Sequence, residues 1–220
     1  MNGHDFFLCG AALSALPSGA LWWPSEACLV VSDLHLGRSE RYARRAGALL
    51  PPYEVEETLT RLDADIAATG ASTVVCLGDT FDDLQAAELD EAHALWLARL
   101  MAGRRWVWIE GNHDPGPVGL GGEHRAELVL GPLTFRHSAV AGAAGEVSGH
   151  YHPKARIAGQ SRRCFLADAA RLILPAYGTF TGGLYSDDAA LSGLMQPGAV
   201  AILTGRAARP IPMPRRKEPA

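Results

Sequence analysis

The sequence predicts an α/β protein in which two packed β-sheets are flanked by helices. Three observations carry this. The first half alternates short apolar runs with stretches of helical periodicity, the pattern of a parallel sheet with right-handed crossovers. The second half is dominated by short strand-like runs with few helical stretches between them. No Gly/Pro/Ser-rich linker divides the chain, and 220 residues at 48% hydrophobic content suit one core.

In order, Phe6–Ala12, Ala20–Trp23 and Ala27–Ser32 are apolar runs separated by turn residues such as Pro17-Ser18-Gly19, and each predicts a strand. Pro52–Thr69 carries Val55, Leu59, Leu62 and Ile66 at helical spacing and stops at Gly70. Thr73–Leu77 predicts a buried strand. Leu89–Met101 predicts a helix with Leu89, Ala92, Leu95, Trp96 and Leu100 on one side, ending at Gly103. Trp106–Ile109 is the next strand. Then come Leu128–Leu130, Leu133–Arg136, Glu146–Ser148, Ala155–Ala158, Arg162–Leu166, Arg171–Leu174 and finally Ala199–Thr204. Residues 1–205 are expected to form a single domain, and the Pro/Arg-rich stretch 206–220 a mobile tail.

Composition excludes several classes. A formal net charge of -4 means that the protein as a whole is not a polycation, which weakens a reading in which it coats nucleic acid through bulk charge but leaves room for a local basic patch. No apolar run is long enough to span a bilayer as a helix. Phe6–Leu16 is mildly apolar but has only His4 and Asp5 close before it, so no secretory signal is expected. Cys9, Cys28, Cys76 and Cys164 form no C-x-x-C pair. Reduced thiols and a cytoplasmic setting are the expectation.

Five short motifs follow apolar runs: Asp33-Leu34-His35, Gly78-Asp79, Gly111-Asn112-His113-Asp114, His137, and Gly149-His150-Tyr151-His152. Loops beyond the carboxyl ends of strands are where layered α/β folds bind ligands. A Gly-Asp pair is common, and one histidine after a strand is ordinarily a core or surface residue. All five together, each at a strand end, bring carboxylate, amide and imidazole groups to one rim. Without thiolate, that donor set suits Mn, Fe, Ni or Zn in a catalytic rather than a structural site. On an extended chain the D-x-H and H-x-H spacings would put each pair on one face. Asp79 could serve two ions through its two oxygens.

This series resembles the calcineurin-like metallophosphoesterases, whose fold is a four-layer αββα sandwich. The resemblance implies that Asp33, His35, Asp79 and His152 hold one metal and that Asp79, Asn112, His137 and His150 hold the other. His113 would face the substrate as general acid, Asp82 would orient it, and Asp114 would brace the loop. The implied chemistry is phosphodiester hydrolysis by a metal-bridging hydroxide, with Asn112 and the ions stabilising charge on the phosphoryl oxygens. Two divalent ions are implied, with Mn first and Fe, Zn, Ni or Co as alternatives. The segments Ser32–Glu54, Gly19–Pro24 and Leu174–Gly183 narrow the likeness to the bacterial ligase-associated DNA damage response endonucleases, the PdeM group. The chain departs from that group at Ser138-Ala139, where an acidic residue and a proline are expected. The narrower resemblance implies DNA as substrate and a repair setting beside a DNA ligase and a helicase.

The residues add one indication of their own. If 36–46 is helical, Arg38, Arg41 and Arg45 share a face next to the first motif and could hold phosphates flanking the scissile one. A solvated arginine face, or pairing with Glu54, Glu56 and Glu57, is the bland alternative. Two other functions stay open: a small-molecule phosphodiesterase or pyrophosphohydrolase acting on nucleotides, and a non-catalytic scaffold that keeps the fold. The full ligand set and His113 argue against a scaffold, which needs no leaving-group acid.

Overall fold

The structure, a computed structural model, describes residues 2–37, 53–81, 89–112 and 120–215. Two sheets face each other. The first runs β1 (His4–Leu8), β2 (Ala11–Ala15), β3 (Leu21–Trp23), β4 (Cys28–Val31), β5 (Thr73–Leu77), β6 (Arg105–Ile109), β7 (Glu123–Arg125), in that order across the sheet. Strands β1 to β4 are antiparallel and β4 to β7 parallel. The second is built from β8 (Glu127–Leu130), β9 (Leu133–Arg136), β10 (Glu146–Ser148), β11 (Lys154–Ile157), β12 (Gln160–Ala167), β13 (Arg171–Ile173), β14 (Val200–Leu203) and β15 (Arg209–Pro212). Its order is β15-β14-β12-β13-β10-β9-β8, with β11 paired to β12. It is antiparallel except where β10 lies parallel to β9 and β13.

Strand alternation builds the layers. In β4, Cys28 and Val30 face the core between the sheets, together with Val75, Leu77, Phe135, Val147, Phe165 and Ile202. Leu29 and Val31 face the other way, onto helices α1 (Glu54–Thr69) and α2 (Glu91–Met101). Helix α3 (Ala189–Leu194) covers the outer face of the second sheet through Leu191. These are the four layers expected.

Helix α1 buries Val55, Leu59, Leu62 and Ile66, the stripe read from its spacing. Glu54, Glu56 and Glu57 complement the dipole of its first turn, and Gly70 closes it in the left-handed region with its N–H on Ile66 O. Helix α2 opens at Asp90, whose side chain accepts from His93 N.

The structure corrects several expectations. Phe6–Ala12 is not one strand: Cys9 and Gly10 both have positive φ and close a hairpin between β1 and β2. The buried side of α2 centres on Leu97 and Leu100, and Leu95 is exposed, because packing on the sheet selects one of two overlapping apolar stripes. The stretch 206–220 is not a free tail throughout. Residues Arg209–Pro212 add β15 to the sheet edge, and Arg215 donates to the carbonyls of Ser192, Met195 and Gln196. Those backbone and guanidinium bonds hold it despite its prolines, which an edge strand tolerates. Cys28, Cys76 and Cys164 are buried, and burial pushes Cys28 and Cys164 up to about 12.

Candidate metal centre

The rim is assembled by the loops after β4, β5, β6, β9 and β10. Beyond β4 and β5 the backbones continue side by side: Asp33 N donates to Gly78 O at 3.3 Å, His35 N to Asp79 O at 3.0 Å and Leu36 N to Thr80 O at 2.9 Å. This brings the D-x-H motif against Asp79. From the opposite sheet, His150 N donates to Asp33 Oδ2 at 2.9 Å and Gly149 N to His137 O at 2.9 Å. A side chain at 149 would not fit, since a Cβ there would meet Ser32 Oγ at 1.7 Å and Asp33 Oδ2 at 2.6 Å. At Gly78, φ is +76° and a Cβ would lie 2.4 Å from His137 Nδ1.

The pincers work differently from the extended-chain argument. Asp33, His35, Asp79, His150 and His152 all have φ between 46° and 70°, in the left-handed region that non-glycine residues avoid. The donors converge through this strained backbone, not through strand alternation. Such strain gathers at functional sites.

Two clusters result, in each of which the candidate donor atoms lie within 4.8 Å of one another: Asp33, His35 and His152, and Asp79, His137 and His150. In the first, His35 Nε2 is 3.3 Å from His152 Nε2, and Asp33 Oδ1 is 3.1 Å from His152 Nε2. In the second, His150 Nδ1 is 3.1 Å from His137 Nε2, and His137 Nε2 is 3.5 Å from Asp79 Oδ2 and 2.8 Å from Asn112 Oδ1. The clusters adjoin, with His137 Nδ1 3.9 Å from Asp33 Oδ1.

The donor set can be tested against a divalent ion. His137 Nδ1 donates to Leu77 O at 2.8 Å. In the neutral ring this leaves Nε2 as a bare lone pair, facing the acceptor oxygens of Asn112 and Asp79. Lone pairs converging in a partly buried rim repel one another, and a cation among them relieves this. A first-row ion holds nitrogen or oxygen at about 2.0–2.2 Å, which spaces neighbouring donors about 3.0–3.4 Å apart. The separations of 3.3, 3.1 and 3.1 Å fit that spacing, and those of 2.8 and 3.5 Å lie just outside it.

Electrostatics agree. Burial pushes the Asp33 carboxyl up, but the hydrogen bond from His152 and the charges of His152, His137 and His35 outweigh it and hold the group at about 2. Burial pushes His150 down, favouring the neutral imidazole that a metal needs.

Of the residues singled out in the sequence, Asp33, His35, Asp79, Asn112, His137, His150 and His152 meet here. Asp82, His113, Asp114 and Arg38, Arg41 and Arg45 lie outside the described residues. Two orienting groups went unread. Ser32 donates its hydroxyl to Asp33 Oδ2, turning Oδ1 toward His152, and its only sequence signal is its place beside Asp33. The Leu77 carbonyl selects the His137 tautomer, and a carbonyl leaves no trace in sequence.

Fold and site together define a metallophosphoesterase, and the calcineurin-like phosphoesterase family matches residues 28–189. The chain belongs to that family, whose members bind two divalent metals. It is similar to the crystal structure of the nuclease MPE of Pseudomonas putida, with 27% sequence identity and a TM-score of 0.75 over 96% of this chain and 100% of that one. No curated protein matches the chain. Among the described residues no helix is long and apolar enough to cross a membrane.

Proposed function

We propose that this phosphoesterase is a DNA endonuclease of the PdeM type that acts in DNA repair. The observation that carries the reading is the pair of adjoining His/carboxylate clusters on one rim. The similarity to a nuclease over nearly the whole chain supports the choice of substrate. In this reading Asp33, His35 and His152 hold one ion, and Asn112, His137 and His150 hold the other, with Asp79 shared. Mn is the proposed working metal. When bound, the ions activate water at neutral pH and neutralise the phosphoryl charge. Asn112, beside His137, donates its amide N–H toward a non-bridging oxygen. His113 gives a proton to the leaving alkoxide, with Asp82 fixing its tautomer. Arg38, Arg41 and Arg45 hold phosphates next to the scissile one. Cytoplasmic work beside a DNA ligase and a helicase completes the proposal.

The test is cleavage of circular and linear DNA across Mn, Mg, Zn and Co, with Asp79→Ala and His113→Ala as controls. Metal-dependent cleavage abolished by Asp79→Ala is expected. Hydrolysis of a small diester without DNA cleavage would move the assignment to a nucleotide phosphodiesterase or pyrophosphohydrolase. Loss of neither activity with Asp79→Ala, or no activity with any metal, would refute the reading.

A further inference from the structure

The chain after the last candidate ligand carries a feature the metal centre does not use. From His152 the backbone enters β11, where Lys154 and Arg156 lie two residues apart and so share one face. Tyr185 forms a bridge with Lys154. Its ring takes both cations: Lys154 Nζ is 5.1 Å from the centroid and the Arg156 guanidinium carbon 4.3 Å. The loop that delivers Tyr185 is tied to the ligand loop. Leu184 N donates to Tyr151 O at 3.1 Å, Lys154 N to Leu184 O at 2.8 Å, and a Cβ at Gly183 would meet His152 O at 2.0 Å.

Two like charges on one ring repel each other, so the arrangement favours a nearby anion. Arg163 lies directly across from Lys154 in register. Burial, and then the charge of Arg61, push Arg163 down to about 10. Lys154 and Arg156 both face the ring, and Asp187 supplies an opposing charge to Arg156. A half-buried aromatic ring flanked by cations is the chemistry that holds a single nucleic-acid strand: stacking for a base and guanidinium or ammonium for the phosphates on either side.

We propose that Lys154, Tyr185 and Arg156 form a platform that holds the nucleotide next to the scissile phosphate. The proposal rests on the reading of the chain as a nuclease and deepens it. The opposite face of the β11–β12 hairpin gives a control. There Arg162 lines, with Arg206 and Arg209, a separate cleft of about 600 Å³, because Arg162 pairs with Ala155 and points away from Lys154.

The experiment measures kcat and KM on a fluorescein-labelled single-stranded oligonucleotide and on bis(p-nitrophenyl) phosphate, with Mn present, at several salt concentrations. Lys154→Gln/Arg156→Gln should raise the oligonucleotide KM about tenfold and flatten its log–log salt slope by about 1.4, at about 0.7 per phosphate contact. Tyr185→Leu should raise KM about tenfold with the slope kept, since stacking releases no counterions. Arg162→Gln/Arg206→Gln should leave the oligonucleotide KM within about twofold. The platform is overturned if the first two variants leave KM unchanged, if the cleft variant does as much harm, or if the small diester loses as much as the oligonucleotide. If the wild type hydrolyses the small diester but not DNA, the nuclease reading fails on its own. Fluorescence anisotropy in chelator then decides the platform: weaker oligonucleotide binding by the first two variants upholds it, and equal binding overturns it.

Discussion

Replacing His150 by glycine should leave the metal-free protein more stable than replacing it by alanine. Both changes delete the imidazole, so they differ only in one methyl group and in backbone freedom. His150 has φ +70° and is half-buried. A non-glycine residue in the left-handed region is disfavoured by about 1–2 kcal/mol. Against this, glycine has more chain entropy to lose, a term of about 0.5–1 kcal/mol. The net expectation is about 1 kcal/mol in favour of glycine, or about 2–4 °C in Tm for a chain of this size. The assay is thermal unfolding in chelator of the His150→Gly and His150→Ala proteins. Val129, exposed on β8, supplies the comparison, and there alanine should win by about 0.5–1 kcal/mol. If the alanine protein at 150 melts as high as the glycine protein, the donors are not held against backbone strain. The same sign should recur at His152, also left-handed.

Gly149→Ala should destabilise the fold by about 2 kcal/mol or more and weaken Mn binding in calorimetry, because the new methyl displaces Ser32 and Asp33; binding equal to wild type would refute the packing argument. Tyr177 is buried, its hydroxyl donates to Asp65 Oδ2 at 2.9 Å, and burial and then Asp65 raise it well above its ordinary value. A raised group stabilises fully below its unfolded value of about 10 and loses that contribution as pH rises toward the folded value. Urea midpoints should therefore fall as pH rises from about 10 upward, and less steeply in Tyr177→Phe, which should cost about 1–3 kcal/mol at neutral pH. Glu146 is fully buried beside Arg171, with Arg171 Nη1 3.4 Å from Glu146 Oε1. Glu146→Ala should cost about 3–5 kcal/mol in denaturant unfolding by stranding the guanidinium, and a change under about 1 kcal/mol would show that the pair is solvated.

Layer composition was legible in the sequence because burial imposes periods. The four-spaced stripe of Val55, Leu59, Leu62 and Ile66 and the all-apolar Val74–Leu77 can only be a helix on a sheet and a strand buried on both faces. The donor set was legible for a related reason: carboxylate, amide and imidazole groups placed after apolar strands stand at the rim wherever the strands go. Where the pattern is weak the reading failed. The polar β7 and the proline-bearing β15 are held by ladder hydrogen bonds to neighbours far along the chain, which no local period records. Leu95 and Leu97 are equally apolar, and only the surface beneath α2 chose between them.

What the chain determined by itself is therefore the inventory and order of the candidate donors, since each stands after an apolar run and a strand end is marked locally. Tertiary structure alone decided how they converge. Asp33 meets His150 and His152 because two sheets, joined by contacts over more than a hundred residues, press their loops together. The left-handed backbone that aims each donor is sustained by that packing, for isolated residues of these types would relax out of it.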